Sequence, residues 1–286
     1  MNSTKKTKVK LCVKDLMKQY TILGHIRSGY FGDVYALNEG KHTGTTQYNQ
    51  LPKYKGSRYK YIMKITNNNK TAMEEINMLY QVNKLKSVHL PTLVSHHKCD
   101  DIIFRGWKGQ GIAKSHQDWT FITRGKGLIT IMENSGIGMD IYLKKNTNPM
   151  NEIIMLFQLL YTLYFLSLNK IVHNDIYMNN IVSKQVKDTM MTYKIDDHVF
   201  KVPILEGHIP VLIDFGQAEN SKPNTKMNAN TLMMFDTWYN HTKHVYVKNV
   251  IDDIYGHITS DLKSIVYMFY NKYIYTTMTH PTEVFN

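Results

Sequence analysis

Two stretches decide the fold of this chain: His173-Asn174-Asp175-Ile176-Tyr177-Met178-Asn179-Asn180 and, downstream, Asp214-Phe215-Gly216. The first stretch places a carboxylate and, five residues later, a side-chain amide in one loop. The second places another carboxylate directly after a short apolar run. Such groups can hold a hydroxyl and bind the metal ions that neutralise phosphate groups. The two stretches in this order indicate a site that handles phosphate.

The order and context of these stretches resemble the signature of eukaryotic-type protein kinases. The resemblance covers about residues 20–273. It implies that Asp175 accepts or orients the proton of the acceptor hydroxyl, and that Asn180 and Asp214 bind Mg²⁺, with Mn²⁺ as an alternative. ATP would be the phosphate donor. His173 would be a structural support without a chemical role.

A glycine-rich stretch near the N-terminus resembles the kinase loop that covers the phosphates of ATP. Gly29, Gly32 and Val34 occupy the family's positions, whereas Arg27 stands where the family has its first glycine. Glycine matters there because a backbone without Cβ can approach a phosphate closely. We expect Arg27 to stiffen the loop and to leave its tip intact.

Lys64 lies between apolar neighbours in Tyr61-Ile62-Met63-Lys64-Ile65, which resembles the kinase strand whose lysine binds the α- and β-phosphates. The resemblance implies an ion-pair partner on the next helix, where Glu74 and Glu75 are both candidates. Glu75 is favoured because apolar residues follow it in the family's pattern. The short spacing between Lys64 and Glu75 resembles the spacing in the casein-kinase-one and vaccinia-related branch of the family. The residues around Asp175 and the Lys/Asn/Ile/Tyr-rich composition are also similar to those of kinases of large DNA viruses.

The stretch that begins at Leu128 resembles the last strand of the N-terminal lobe and the connection that follows it. By this resemblance Met132 lines the back of the adenine pocket. Glu133 and Ser135 would offer backbone groups to the base. Asp140 would bind a ribose hydroxyl, or it would instead complement the dipole of a helix N-terminus.

The expected fold is α+β, a two-lobed kinase-like fold with a β-rich N-terminal lobe and a shortened, mostly helical C-terminal lobe. We expect a basic tail at residues 1–14, the N-terminal lobe at residues 15–134 and the C-terminal lobe at residues 135–286.

Sequence patterns predict the individual elements of this fold. The predicted elements are a hairpin at 20–37, a polar loop at 38–59, a helix at 71–85, strands at 93–97 and 128–132, a buried helix at 151–168, a polar insertion at 183–210, a strand at 211–214 and a buried helix at 262–273. Asp261 would cap this last helix, brace the catalytic loop, or do both.

Composition restricts the cellular setting and the partners. The net charge of +12 attracts acidic partners, and proximity to nucleic acid is one interpretation. Because most of the lysines are dispersed, a well-solvated surface is the other interpretation. Two cysteines imply no disulfide framework, so we expect an intracellular location, in the cytoplasm or nucleus of a host cell or with a virion. We expect no membrane insertion and no secretory signal.

Four features depart from the kinase pattern. Asn174 replaces the arginine that reads a phosphorylated activation loop, so we expect a constitutively competent site. Tyr177 replaces a lysine that helps to neutralise the γ-phosphate. The A-P-E stretch is missing, and few residues follow Tyr273. The predicted function is therefore a Ser/Thr protein kinase acting on an unidentified protein substrate, with a pseudokinase and a small-molecule kinase as alternatives.

Overall fold

The structure is a computed structural model of the chain. The described residues are 15–29, 32–41, 53, 58–67, 69–106, 121–145, 148–221, 229–257 and 259–279. The predicted basic tail and most of the predicted loop at residues 38–59 lie outside them.

The chain is mixed α+β, with a β-rich sheet first and helices later, as predicted. It divides into two compact units. The first comprises Met1–Gln81 and Thr92–Asn134, and the second comprises Val82–Pro91 and Ser135–Asn286.

The first unit contains one antiparallel sheet of five strands in the order β1-β2-β3-β5-β4. The strands are β1 (Tyr20–Gly29), β2 (Gly32–Glu39), β3 (Tyr61–Asn67), β4 (Leu93–Gly106) and β5 (Phe121–Glu133). The predicted hairpin is therefore confirmed. The predicted strands at 93–97 and 128–132 are confirmed as parts of longer strands.

One face of this sheet is apolar because side chains alternate along each strand. Its core includes Tyr35, Met63, Ile102, Ile129 and Ile131, each at most 1% exposed. Helix α1 (Lys70–Lys84) was predicted at 71–85. Its residues Ala72 and Ile76 pack with Leu128 of β5 in a separate cluster. This packing fixes residues 70–81 of the helix against the sheet of the first unit.

The second unit is built around one long buried helix. Its helices are α2 (Met139–Lys145), α3 (Pro149–Leu168), α4 (Ala229–His241), α5 (Val245–Tyr255), α6 (Leu262–Phe269) and the short α7 (Thr276–Thr279), with a π-helical turn at Tyr270–Tyr275. Asn148 caps α3 by accepting hydrogen bonds from Met150 N and Asn151 N, and Pro149 suits the first turn. By length and composition α3 could cross a membrane, but most of it is buried in the protein, as the predicted core helix would be.

The predicted polar insertion at 183–210 is largely strand, which corrects the sequence analysis. The strands of the second unit are β6 (Ile137–Gly138), β7 (Ile171–Val172), β8 (Ile181–Gln185), β9 (Met190–Ile195), β10 (His198–Pro203), β11 (His208–Leu212) and β12 (Glu219–Asn220). They form sheets in the orders β11-β8-β6, β10-β9 and β12-β7. The outer face of the β9–β10 hairpin mixes exposed polar residues with exposed Met190 and Val199, so no regular alternation marks these strands in the sequence.

The β9–β10 hairpin is anchored by aromatic residues. Tyr193 and Phe200 are buried, and the ring of Phe157 on α3 lies 5.7 Å from Tyr193 and 6.5 Å from Phe200. Tyr161 Oη donates to Lys194 O over 2.9 Å. Because these contacts involve α3, the hairpin extends the core of the second unit.

His89 fastens the residues 82–91 to β9 and β11. Its Nδ1 donates to Pro210 O over 2.8 Å, so its Nε2 is the acceptor for Tyr193 Oη at 2.8 Å. Leu212 N donates to His89 O over 3.0 Å. Burial lowers the pKa of His89 from 6.5 to about 4, partly offset by the hydrogen bond to Pro210. The neutral ring thus fixes the strand that leads to Asp214.

We expect His89 to make the folded state sensitive to acid. The pKa of His89 is about 4 in the folded protein and 6.5 ordinarily. As the pH falls, His89 is therefore protonated in the unfolded chain before it is protonated in the folded protein. The stabilisation is complete above pH 6.5 and declines toward pH 4, by about 3 kcal/mol for this one group. His89→Asn keeps a donor for Pro210 O but does not titrate. Chemical denaturation between pH 4 and 7 should therefore show a shallower pH dependence for this variant, and equal slopes would contradict the assignment.

Candidate active site

Lys64 and Glu75 form a buried ion pair in the first unit. Lys64 lies in the middle of β3, between Val34 of β2 and Thr130 of β5. Its Nζ lies 2.6 Å from Glu75 Oε1 of α1, and the two side chains are 11% and 10% exposed. Glu74 instead lies 3.7 Å from Lys70 on the surface. Of the two candidate partners, the structure therefore brings Glu75 to the lysine.

The glycine-rich stretch closes the hairpin of β1 and β2. Gly29 pairs with Gly32, and Arg27 pairs with Val34. Gly32 has φ +146°, and a Cβ there would lie 2.0 Å from Ile65 O, next to Lys64. Only glycine fits at this position because the β3 backbone occupies the space. The hairpin is thereby held directly against the strand that carries the buried lysine.

Asp175 and Asn180 are brought together in the second unit. Asn180 Nδ2 donates to Asp175 O over 2.9 Å and to Asp175 Oδ2 over 2.8 Å. Asn180 N donates to Tyr177 O over 2.8 Å, which closes the short 3₁₀ turn Met178–Asn180. With its amide nitrogen directed to Asp175, Asn180 has its side-chain oxygen to offer to a cation.

His173 joins the loop of Asp175 to the strand end before Asp214. Its ring is 1% exposed, its Nε2 lies 3.0 Å from Ile213 O, and its Nδ1 lies 3.3 Å from Asp175 N. Because a carbonyl only accepts and an amide only donates, the proton is on Nε2. Burial lowers the pKa of His173, against the opposing effects of the Ile213 carbonyl and of the carboxylates of Asp175 and Asp214. Both carboxylates therefore act electrostatically on one neutral ring.

Asp214 is held in an unusual backbone conformation. Its φ is +64° and its ψ is 72°, in the left-handed region, where Asp and Asn are tolerated better than most residues. Ile213 N before it donates to Asn180 O over 2.8 Å. Phe215 after it is fully buried, with its ring 4.7 Å from that of His173. Anchors on both sides thus fix the backbone of Asp214.

Asn180 and Asp214 fit the oxygen-donor chemistry that Mg²⁺ requires. Mg²⁺ is usually held by one or two carboxylates together with substrate phosphates. Among the described residues no group of three or more His, Cys, Asp or Glu side chains could hold a metal. A pair of oxygen donors completed by phosphates would not form such a group, and the binding of Mg²⁺ by Asn180 and Asp214 stays a prediction.

The residues predicted to contact the adenine base are divided between the two units. In the first unit, Met132 is 8% exposed on β5, and Glu133 N donates to Thr92 O over 3.0 Å. The backbone amide of Glu133 is therefore already engaged within the first unit. In the second unit, Ser135 is partly buried and precedes Gly136, whose φ is +123°. Their contacts with adenine remain predictions.

Asp140 lies in the first turn of α2, where a carboxylate complements the helix dipole. Its Oδ1 lies 2.7 Å from where a Cβ on Gly138 would be, and its Oδ2 is 3.9 Å from Lys144 Nζ. The dipole interpretation is thus supported by position, while the ribose contact remains a prediction.

A residue that the sequence analysis missed holds the loop of Asp175. Asp261 caps α6 by accepting from Ser264 N and Ser264 Oγ over 3.0 and 2.6 Å. The backbone amide of Asn174 donates instead to Asn230 Oδ1 of α4, over 2.7 Å. The predicted bracing contact is therefore made by Asn230. The only signal for it in the sequence is a polar residue just before the apolar run that begins at Leu232.

No protein-family model matches the chain, and neither does any curated protein. Any function assigned to the chain therefore depends on its residues and on the geometry described above.

Proposed function

We propose that the protein is an ATP-dependent serine/threonine protein kinase with a two-lobed kinase-like fold and a shortened C-terminal lobe. The observation that carries this proposal is the buried ion pair of Lys64 with Glu75. The paired Asp175 and Asn180 and the anchored Asp214 support it from the second unit.

A buried ion pair is weak as a stabilising device, because desolvating two charges offsets most of their attraction. Its value lies in holding a charge in a fixed place. The ammonium of Lys64 is held by β3 and by Glu75, and the β1–β2 hairpin lies against the same strand. Such a fixed cation beside a glycine-rich hairpin suits the phosphates of a nucleotide.

The residues of the second unit suit transfer to a hydroxyl. Asp175 orients the acceptor hydroxyl and takes its proton, and Asn180 and His173 hold Asp175 in position. Asn180 and Asp214 would hold Mg²⁺, which when bound neutralises charge on the phosphates. The backbone hydrogen bond from Ile213 N to Asn180 O joins the loop of Asn180 to the strand end before Asp214.

One observation favours a pseudokinase as the second candidate. Tyr177 stands in the loop of Asp175 where the resemblance expects a lysine, and it is 52% exposed. A phenol cannot supply the positive charge that a lysine would bring to the γ-phosphate. We therefore expect the transfer to be slow if Lys64 and the metal are its only cationic support.

The products of transfer from γ-labelled ATP test the proposal. Purified protein, Mg²⁺ and a mixture of acidic and basic test proteins should give label on serine or threonine. Label found only on small-molecule hydroxyls would favour a small-molecule kinase. Binding of Mg·ATP without any transfer would favour the pseudokinase.

A further inference from the structure

The β1–β2 hairpin contains an irregularity that decides on which face of the sheet Arg27 lies. His25 of β1 pairs with Tyr35 of β2. Arg27 is two residues further along β1, but it pairs with Val34, only one residue further along β2. Ile26 is therefore the extra residue of a β-bulge. In a regular strand His25 and Arg27 would lie on the same face, because side chains alternate with a period of two. The bulge breaks this alternation and places Arg27 on the other face.

The strand register identifies the face on which Arg27 lies. Residues directly opposite each other on neighbouring strands lie on the same face of a sheet. Tyr35 pairs with Met63 of β3, and both belong to the apolar core on one face. Val34 pairs instead with Lys64 of β3. Arg27 therefore lies on the face that carries Lys64, opposite to the core.

Arg27 and Lys64 are separated by a single strand, β2. Because neighbouring strands lie about 4.8 Å apart, the backbones at these two residues are about 10 Å apart. Lys64 Nζ is held by Glu75 Oε1 at 2.6 Å. The hairpin is held against β3 at Gly32, where a Cβ would lie 2.0 Å from Ile65 O. Two long cationic side chains at this separation on one face can both contact one chain of phosphate groups.

The guanidinium of Arg27 is available to a ligand. Arg27 is exposed, and within the part of the chain that the structure describes its side chain forms no ion pair and no hydrogen bond. A guanidinium is always charged and binds a phosphate through two parallel N–H donors. Exposed arginines are common on protein surfaces, but the face that Arg27 shares with Lys64 distinguishes it from them. The glycine that the resemblance expects at this position has neither the charge nor the donors.

We propose that Arg27 is a second phosphate-binding cation of the first unit and contacts the phosphate chain of a nucleoside triphosphate from the β1–β2 hairpin. This rests on the proposed function, in which Lys64 binds the same phosphates. The guanidinium adds to the cationic support that Lys64 and the metal give to the phosphates, which the phenol of Tyr177 cannot supply. The alternative role of Arg27 is to stiffen the hairpin without contacting the nucleotide.

Titration calorimetry with Mg·ATP and with adenosine tests the proposal in the full chain. Arg27→Gln removes the charge but keeps a long polar side chain. We expect the Kd for ATP to rise at least about 10-fold, as for the loss of a charge-assisted hydrogen bond. The Kd for adenosine should change by less than about twofold, because adenosine carries no phosphate for the guanidinium to bind.

Two further variants separate a phosphate contact from changes in stiffness and in net charge. Arg27→Lys keeps the charge and should recover most of the affinity for ATP, although a lysine lacks the two parallel donors. Arg58→Gln makes the same change as Arg27→Gln at another exposed position of the first unit and should bind ATP as the wild type does. Because both arginines are exposed, all three variants should melt within a few degrees of the wild type without nucleotide.

The phosphate contact is supported if Arg27→Gln weakens the binding of ATP but not of adenosine, and if Arg27→Lys reverses the loss. It is overturned if Arg27→Gln binds ATP as the wild type does, or if it weakens adenosine equally, as a change in stiffness would. Equal losses in Arg27→Lys or in Arg58→Gln would also overturn it. A wild type that binds ATP but transfers no phosphate would contradict the proposed kinase activity alone, since affinity decides the contact. A wild type without affinity for ATP would overturn both.

Discussion

Replacing Lys64 by Met is expected to lower the rate of phosphoryl transfer at least ~100-fold, comparable to losing one preorganised electrostatic group. Methionine keeps an unbranched stem of similar reach but carries no charge. The variant therefore removes the cation between Glu75 and the phosphates while preserving the packing of β3. Initial rates of label transfer from γ-labelled ATP measure the effect.

Lys60, in the same unit, provides a matched control for Lys64→Met. Lys60 Nζ lies 2.7 Å from Glu39 Oε1, but these side chains are 58% and 64% exposed. Lys60→Met thus breaks an ion pair of similar geometry in water and should leave the rate unchanged. Equal losses in the two variants would contradict a special role for Lys64.

Stability must be separated from chemistry in this test. Lys64→Met leaves the Glu75 carboxylate buried without its lysine partner, which costs about 3–5 kcal/mol in typical cases. The double variant Lys64→Met/Glu75→Gln removes that charge. It should recover much of the melting temperature but none of the activity. Recovery of activity would show that the single variant had only been unfolding.

Asp214→Asn is expected to abolish transfer while the protein stays folded. Asparagine tolerates the left-handed conformation that Asp214 adopts at φ +64°, so the backbone need not move. The change removes one negative charge from the oxygen donors that suit Mg²⁺. We expect a loss of at least ~100-fold, comparable to removing a preorganised charge at the reacting centre. Thermal unfolding should occur within a few degrees of the wild type.

Asp196 provides the control for Asp214. It also has a left-handed backbone, at φ +51°, but it lies in the turn between β9 and β10 and pairs with Lys263 on the surface. Asp196→Asn makes the same chemical change at an exposed position and should leave the rate unchanged. Retention of most of the turnover by Asp214→Asn would show that its carboxylate is not required.

The elements with strong periodicity could be predicted from the sequence. Alternating apolar residues indicated the β1–β2 hairpin, and an apolar circumference indicated α3. The β9–β10 hairpin was missed because its outward residues are partly polar and partly apolar, so no clear alternation marks inward residues such as Tyr193 and Phe200. Helices α4 and α5 were not predicted, since their apolar positions carry no distinctive motif.

Some residues of the candidate site could likewise be predicted from the sequence, and others could not. Lys64, Glu75, Asp175 and Asn180 could be named because the residues around them resemble kinase motifs, and the structure places them in pairs. Asn230 could not be named, because its role depends on where α4 lies relative to a loop 56 residues earlier in the chain. Long-range hydrogen bonds of this kind leave no local signal in a sequence.

The central claim is most directly tested by comparing γ-phosphate transfer by the wild type and by Asp175→Asn. Both proteins should be prepared in parallel, so that any contaminating kinase contributes equally to both. We predict Mg²⁺-dependent label on protein serine or threonine for the wild type, and a rate lower by about 10²–10⁴-fold for the variant, as expected for loss of a positioned general base. Wild-type protein that binds Mg·ATP but transfers no phosphate, or a variant that is as active as the wild type, would contradict the assignment.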